Sequence, residues 1–399
     1  MPTAMLDLEA TELPATVRLD ARFSHAFVLF RWHGHTVAHP TLPIRAGRLV
    51  RADLTEAVLR DGAVTILNLE LRRYLGEPVT GAANARPATI AICTRDRLDD
   101  LARCLEALEN LPDDGQEILV IDSASRDGAA LRDLVARHRQ ARVIRLDLPG
   151  LNRARNAALR AAAHDIVAYT DDDAVPDPGW LRALLRNFHQ PRTLCVTGLT
   201  LPAELETEAQ EIFERTNGFS RGHALRVFDG VDVDPFDVAR IGAGVNMAVR
   251  RSIVEQVGAF DEALDAGTAT RSGGDHDMFT RILAAGYVIV YEPAAMSRHR
   301  HRRSWQELRD ALDGYGTGVL AYLTAHALRG DVGAALVGAR WIGSQLLDLA
   351  GRTKRQVHPL PRDLALAQLA GSMRGPFAYF KSRWALHAAR RAELVALRS

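Results

Sequence analysis

Between Ala88 and Thr170, short apolar runs alternate with stretches whose leucines and alanines recur every three or four positions. The runs ATIAIC (Ala88–Cys93), EILVID (Glu117–Asp122), ARVIRL (Ala141–Leu146) and DIVAYT (Asp165–Thr170) are the pattern of strands covered on both faces. Leu98, Leu101, Leu105 and Leu108 mark one intervening helix, Leu131, Leu134 and Val135 a second, and Asn152 through Ala163 a third. This alternation predicts an α/β fold with a doubly wound, largely parallel sheet. Ligands of such sheets bind beyond the carboxyl ends of the strands, so polar residues just after each apolar run are the ones to weigh.

The flanks read differently. Upstream, AFVLFRW (Ala26–Trp32) and AVTILNLEL (Ala63–Leu71), separated by Gly34, Pro40, Pro43 and Gly47, predict strands of a small β-containing module. Gly76–Pro87, rich in Gly, Pro and small residues, predicts a linker. From about Ser304 the chain predicts helices rich in Ala, Leu and Arg, broken near Gly330 and around Pro359 and Pro361, with Gly314-Tyr315-Gly316 as a hinge for a lid over the crevice. The division expected is 1–82, 83–304 and 305–399.

Composition adds limits. The 399 residues are 47% hydrophobic and 25% charged, ordinary for a globular chain of two or three domains. A formal net charge of +1 gives no global pull toward nucleic acid, so any anion must be held locally. Cys93, Cys104 and Cys195 form no CxxC, which argues against a disulfide framework or zinc site and for a reducing compartment. The acidic start lacks the pattern of an export signal, and the longest apolar stretch, Gly314 to Leu328, is short for a membrane helix. The expectation is a cytoplasmic protein, with contact at the cytoplasmic membrane face and self-association left open.

Candidate chemistry gathers at three strand ends: Thr94-Arg95-Asp96-Arg97, Asp122-Ser123 and Asp171-Asp172-Asp173. Adjacent carboxylates after a buried strand repel one another unless a cation compensates, and Mg2+ or Mn2+ suits such a set; an acidic helix cap is the plainer alternative. Asp122 can accept from a ribose hydroxyl or base N–H, or simply cap a helix. Arg155 and Asn156, in a helix opening after the third strand, offer a fixed charge and an amide for a diphosphate, or are ordinary helix residues. Asp275 and Asp277 follow Gly273-Gly274 at a helix start, where a carboxylate stays ionised and could take a proton from a hydroxyl. Arg281, four residues past Asp277, is read as its structural partner. In Arg298–Arg303, His299 and His301 would share a side of an extended segment, and one could complete a metal shell.

Taken in order, IAICTRDR, VIDSASRD, GLNRARNAAL, YTDDDAVPDPGWL, GAGVNMAVRR, GAFDE and GGDHDMF resemble the family 2 glycosyltransferases of GT-A fold over about Pro87 to Arg303. The resemblance implies a mixed doubly wound sheet and an inverting transfer from a nucleotide diphosphate sugar to an acceptor hydroxyl on a glycan, lipid-linked or small molecule. It implies nucleoside contact for Thr94 and Asp122, with Arg95, Arg97, Ser123 and Asp172 beside them. Asp171 and Asp173 match the ends of the family's DxD element, which binds ribose and the diphosphate-bound Mn2+ or Mg2+. Asp275 matches the family's base, while Trp180, Gly244, Asn246 and Met247 match the acceptor side. Where many members carry Gly-Glu-Asp, this chain has Gly273-Gly274-Asp275, which leaves both Asp275 and Asp277 in play as the base. The competing readings are a sugar-phosphate nucleotidyltransferase and a non-catalytic sugar-nucleotide or glycan binder. TRDRLDD after the first strand lacks the Gly-rich basic signature the former needs.

Overall fold

A computed structural model describes residues 2–76, 87–351 and 360–396. The expected linker, apart from its two ends, and the break at Pro359 lie outside the described residues. The N-terminal part comprises β1 (Thr3–Glu9), β2 (Thr16–Arg18), β3 (His25–Trp32), β4 (His35–Ala38), β5 (Thr41–Pro43), β6 (Arg48–Val50), α1 (Arg51–Ala57) and α2 (Ala63–Tyr74). β3 is central, parallel to β1 and antiparallel to β4 and β5, and β2 pairs with β6. AVTILNLEL is helix rather than strand. No Gly or Pro interrupts Ala63–Tyr74, so helical winding begun at Arg51 runs on through a π-type turn at Val58–Gly62. The three-residue step from Ile66 to Leu69 keeps both against the module's core.

The main sheet has nine strands: β7 (Thr89–Thr94), β8 (Glu117–Ser123), β9 (Ala141–Leu146), β10 (Ile166–Asp171), β11 (Ala174–Pro176), β12 (Thr193–Pro202), β13 (Arg226–Asp229), β14 (Asn246–Arg250) and β15 (Val288–His299). Their order is β11-β15-β12-β14-β10-β7-β8-β9, with β13 on β15. The four predicted strands are the parallel β9-β8-β7-β10 half; β14 runs antiparallel to both β10 and β12, making the sheet mixed. Alternation along β7 and β8 splits the core in two: Ile90, Ile92, Ile118 and Val120 pack on one face, Ala91, Leu119 and Ile121 on the other. Helices α3 (Leu98–Glu109), α4 (Gly128–Val135), α5 (Leu151–Ala161), α6 (Trp180–Leu185), α7 (Glu208–Asn217), α8 (Ile253–Val257) and α9 (Gly274–Ala284) flank it.

The C-terminal helices are α10 (Trp305–Leu328), α11 (Val332–Leu349) and α12 (Arg362–Ala396). Ser304 and Glu307 form a capping box that starts α10. Gly314-Tyr315-Gly316 is no hinge: it lies within α10. A Cβ on Gly316 would come within 2.9 Å of Ser372 Oγ on α12, so glycine there serves close helix packing. Among the described residues, no helix is long and apolar enough to cross a membrane.

Candidate active site

The carboxyl ends of β7, β8 and β10 bring their polar loops together, as the alternation requires. Thr94 Oγ1 donates to Asp172 Oδ2 at 2.7 Å, and Arg97 bonds both Asp172 Oδ1 at 2.9 Å and Asp173 Oδ2 at 2.5 Å. Asp122 is buried, accepts from the Ser125 N–H at 2.8 Å and is paired with Arg145. Ser123 Oγ accepts from the Gly150 N–H at 3.0 Å, fixing the start of α5. Arg95 is exposed, 3.9 Å from Asp96. Beside these loops opens a cavity of about 560 Å3, bordered by Asp96, Arg97, Ser125, Arg126 and Arg300.

The pairing of β11 with β15 sets Ala174 opposite His299, which carries the imidazole to the acidic run. His299 Nε2 lies 3.1 Å from Asp173 Oδ1, and Arg302 comes within 3.8 Å of Asp173 Oδ2. Ligand atoms of Asp171, Asp173 and His299 all lie within 4.8 Å of one another. Asp173 Oδ1 and His299 Nδ1 are buried without a well-directed hydrogen bond. Burial and then Asp173 raise the pKa of Asp171, and the same two causes push Asp172 up to about 6. Burial acts upward on Asp173 too, but His299 and Arg97 outweigh it and hold its carboxyl well below the usual range. Burial opposes charge on His299, and Asp173 overcomes it to raise the imidazole.

His301 stays beside His299, with ring centroids 5.7 Å apart, but its nitrogen is engaged elsewhere. Its Nε2 meets Glu214 Oε2 at 2.9 Å, and its ring lies against Phe213 with centroids 4.5 Å apart, so it is not one of the three grouped ligand residues.

Asp275 sits in the first turn of α9, where its Oδ2 accepts from the Gly244 N–H at 2.9 Å and its Oδ1 from the His276 N–H at 2.8 Å. Burial pushes its pKa up, but His276, Arg155 and these N–H donors lower it on balance. Asp277 does not share the crevice. Its carboxylate is fully buried and enclosed by Arg281 at 2.8 Å, Arg329 at 2.8 Å and His326 at 3.2 Å. On a helix, two residues are about 200° apart, so one carboxylate facing the crevice turns the other into the protein.

Several expected contacts are structural instead. Trp180 is buried and donates from Nε1 to Asn246 Oδ1 at 2.8 Å, while Asn246 Nδ2 binds the carbonyls of Leu199 and Ala295. Met247 lies in the core. Asn156 ties down the segment after α8 through Phe260 N–H and carbonyl. Arg155 is buried and neutralised from within, by Asp265 at 2.8 Å, rather than open to a ligand. Asp265 had no signal in the sequence, and Tyr315, read there only as part of a hinge, is half-buried on α10 and within electrostatic reach of Arg302, Asp275 and Asp171.

Residues 89–258 match the model of the family described as Glycosyl transferase family 2. The chain is 28% identical over 282 residues to a pre-mycofactocin glycosyltransferase of Mycobacterium tuberculosis, covering 66% of this chain and 54% of that one. It is 24% identical over 220 residues to glycosyltransferase AglE of Haloferax volcanii, covering 54% and 67%. The match thus spans about half the length of the mycobacterial protein. Among solved structures, a mannosyltransferase of Pyrobaculum calidifontis in complex with GDP-Man and Mn2+ aligns over 85% of this chain and 88% of its own, with TM-score 0.47 and 20% identity. The family match falls on the parallel half of the sheet, the acidic run and Gly244 together, and this part of the chain, residues 89–258, is a family 2 glycosyltransferase region.

Proposed function

We propose that this protein is a metal-dependent glycosyltransferase that moves a sugar from a nucleotide diphosphate donor to an acceptor hydroxyl with inversion. The observation that carries the reading is the grouping of Asp171, Asp173 and His299, two carboxylates and an imidazole with ligand atoms within 4.8 Å. Two of its buried polar atoms lack a well-directed partner, and the donor set suits Mn2+ or Mg2+. Such an ion would supply positive charge for the leaving diphosphate. The cavity bordered by Arg97, Ser125 and Arg126 receives the nucleoside, with Asp122 positioning Ser125 and Thr94 acting on Arg97 by way of Asp172. Asp275, held ionised by N–H donors and the start of α9, takes the proton of the attacking hydroxyl as the C–O bond forms. A single in-line displacement, in which the acceptor oxygen bonds the anomeric carbon as the bond from that carbon to the diphosphate oxygen breaks, inverts that centre. Three free cysteines fit a reducing, cytoplasmic setting, and 83–304 is the part that carries catalysis.

The test is thermal shift with nucleotide diphosphate sugars, with and without Mn2+, followed by transfer assays. Asp173→Asn and His299→Ala are expected to lose the Mn2+-dependent shift. Asp275→Asn should keep it while transfer falls about 10²–10⁴-fold. Wild-type transfer by Asp275→Asn would remove Asp275 as base, and an unchanged Mn2+ response in both other variants would remove the metal site.

A further inference from the structure

The long helix α12 has two apolar faces, and only one is used. Leu364, Gly371, Gly375, Tyr379 and Ser382 are buried, and Gly371 and Gly375 sit directly against the backbone of α10. On the opposite side Leu366, Met373, Phe377, Phe380 and Trp384 follow at steps of seven, four, three and four, which lines them up along one face. All five are exposed, Phe377 at 79% and Trp384 at 75%. A contiguous apolar stripe of this kind marks an interaction surface.

Its charge says what covers it. Between Arg362 and Arg391 the sequence has six basic residues (Arg362, Arg374, Lys381, Arg383, Arg390, Arg391) and one acidic residue, Asp363, in a chain whose net charge is +1. At 100° per residue, Arg374 and Lys381 fall on one border of the stripe and Arg383 on the other. All three are exposed, and Arg374 is also paired with Asp313 of α10. Aromatic rings between bordering cations match the boundary of an anionic bilayer, where rings enter the acyl region and cations meet lipid phosphates. We infer that the outer face of α12 docks the protein on an anionic membrane surface, lying in the interface without crossing it.

Flotation of the full chain with phosphatidylcholine vesicles, with and without phosphatidylglycerol, tests this. At low salt the bound fraction should rise about tenfold with phosphatidylglycerol and fall again at high salt. Phe377→Ser/Trp384→Ser should abolish binding, and Lys381→Glu/Arg383→Glu should remove its dependence on phosphatidylglycerol. Should those variants fold poorly, wild-type tryptophan quenching by brominated lipid, lost in Trp384→Phe, gives the same answer. The inference falls if wild-type protein ignores both vesicle types, if neither variant changes binding, or if the stripe instead mediates a dimer in sedimentation without vesicle binding.

Discussion

Gly274 stands where the family resemblance leads one to expect glutamate, and its surroundings leave no room for that side chain. A Cβ there would lie 2.5 Å from Asp265 Oδ2 and closer still to Asn152 Nδ2, and it is Asp265, from the loop before α9, that pairs with Arg155. Restoring the side chain alone, as Gly274→Glu, should destabilise the protein by about 1–3 kcal/mol through overpacking. Adding Asp265→Gly should recover part of that loss, measured by chemical denaturation; strictly additive effects would mean the two carboxylates do not compete for one space. Gly244 is constrained in a related way, since its Cβ would lie 2.7 Å from Arg155 Nη2 and 3.1 Å from Asp275 Cβ. Gly244→Ala should therefore displace Asp275 and lower kcat at least about tenfold while the apparent affinity for donor stays near wild type.

At the scale of elements, α9 is held at both ends of its first turn. Asp275 is fixed from the crevice side by Gly244, and Asp277 from behind by Arg281 of the same helix and by His326 and Arg329 at the end of α10. Arg329 also reaches Asp261 at 3.0 Å, and Tyr379 of α12 donates to that same carboxylate at 2.8 Å. The C-terminal helices thus position the helix that presents the proposed base. Asp277→Asn leaves buried cations without their anion and should cost about 3 kcal/mol at neutral pH, the low end for a broken buried pair because Arg329 is partly exposed. Burial opposes the Asp277 charge, but His326, Arg281 and Arg329 lower its pKa on balance. A depressed carboxyl stabilises the fold above the unfolded pKa of about 4 and loses that contribution as pH falls further. The stability gap between wild type and Asp277→Asn should therefore be constant above about pH 5 and narrow below about pH 4 in denaturant titrations.

Across the whole molecule, the N-terminal module is joined to the main sheet by charge as well as by strand edges. Arg31 of β3 bonds Asp7 and, at 2.8 Å, Asp177 in the loop before α6; Arg298 of β15 reaches Asp7 at 2.6 Å. Thr3 N–H donates to the Leu205 carbonyl at 2.8 Å. With the ends so tied, the module and the main domain should unfold in one transition, and Arg31→Ala should lower stability by about 1.5–3 kcal/mol, the range for lost hydrogen bonds to charged groups. Two separated calorimetric transitions in the wild type would show that the module folds independently of the sheet.

By itself the sequence determined the parallel half of the sheet and the loops at its carboxyl ends, because doubly buried strands and their helices are written in local periodicity. It placed Asp171, Asp173 and Asp275 at element ends, where chain direction alone brings them to one side. It misread Ala63–Leu71, since a short apolar run suits helix and strand alike until its neighbours decide. Only tertiary structure gave His299 to Asp173 and His301 to Glu214, turned Asp277 inward, buried Trp180, Asn246 and Met247, and brought Asp265 and Tyr315 to the site. Those outcomes depend on which distant element packs against a side chain, through long-range pairs such as β11 with β15 and α9 with α10, and no local pattern encodes them.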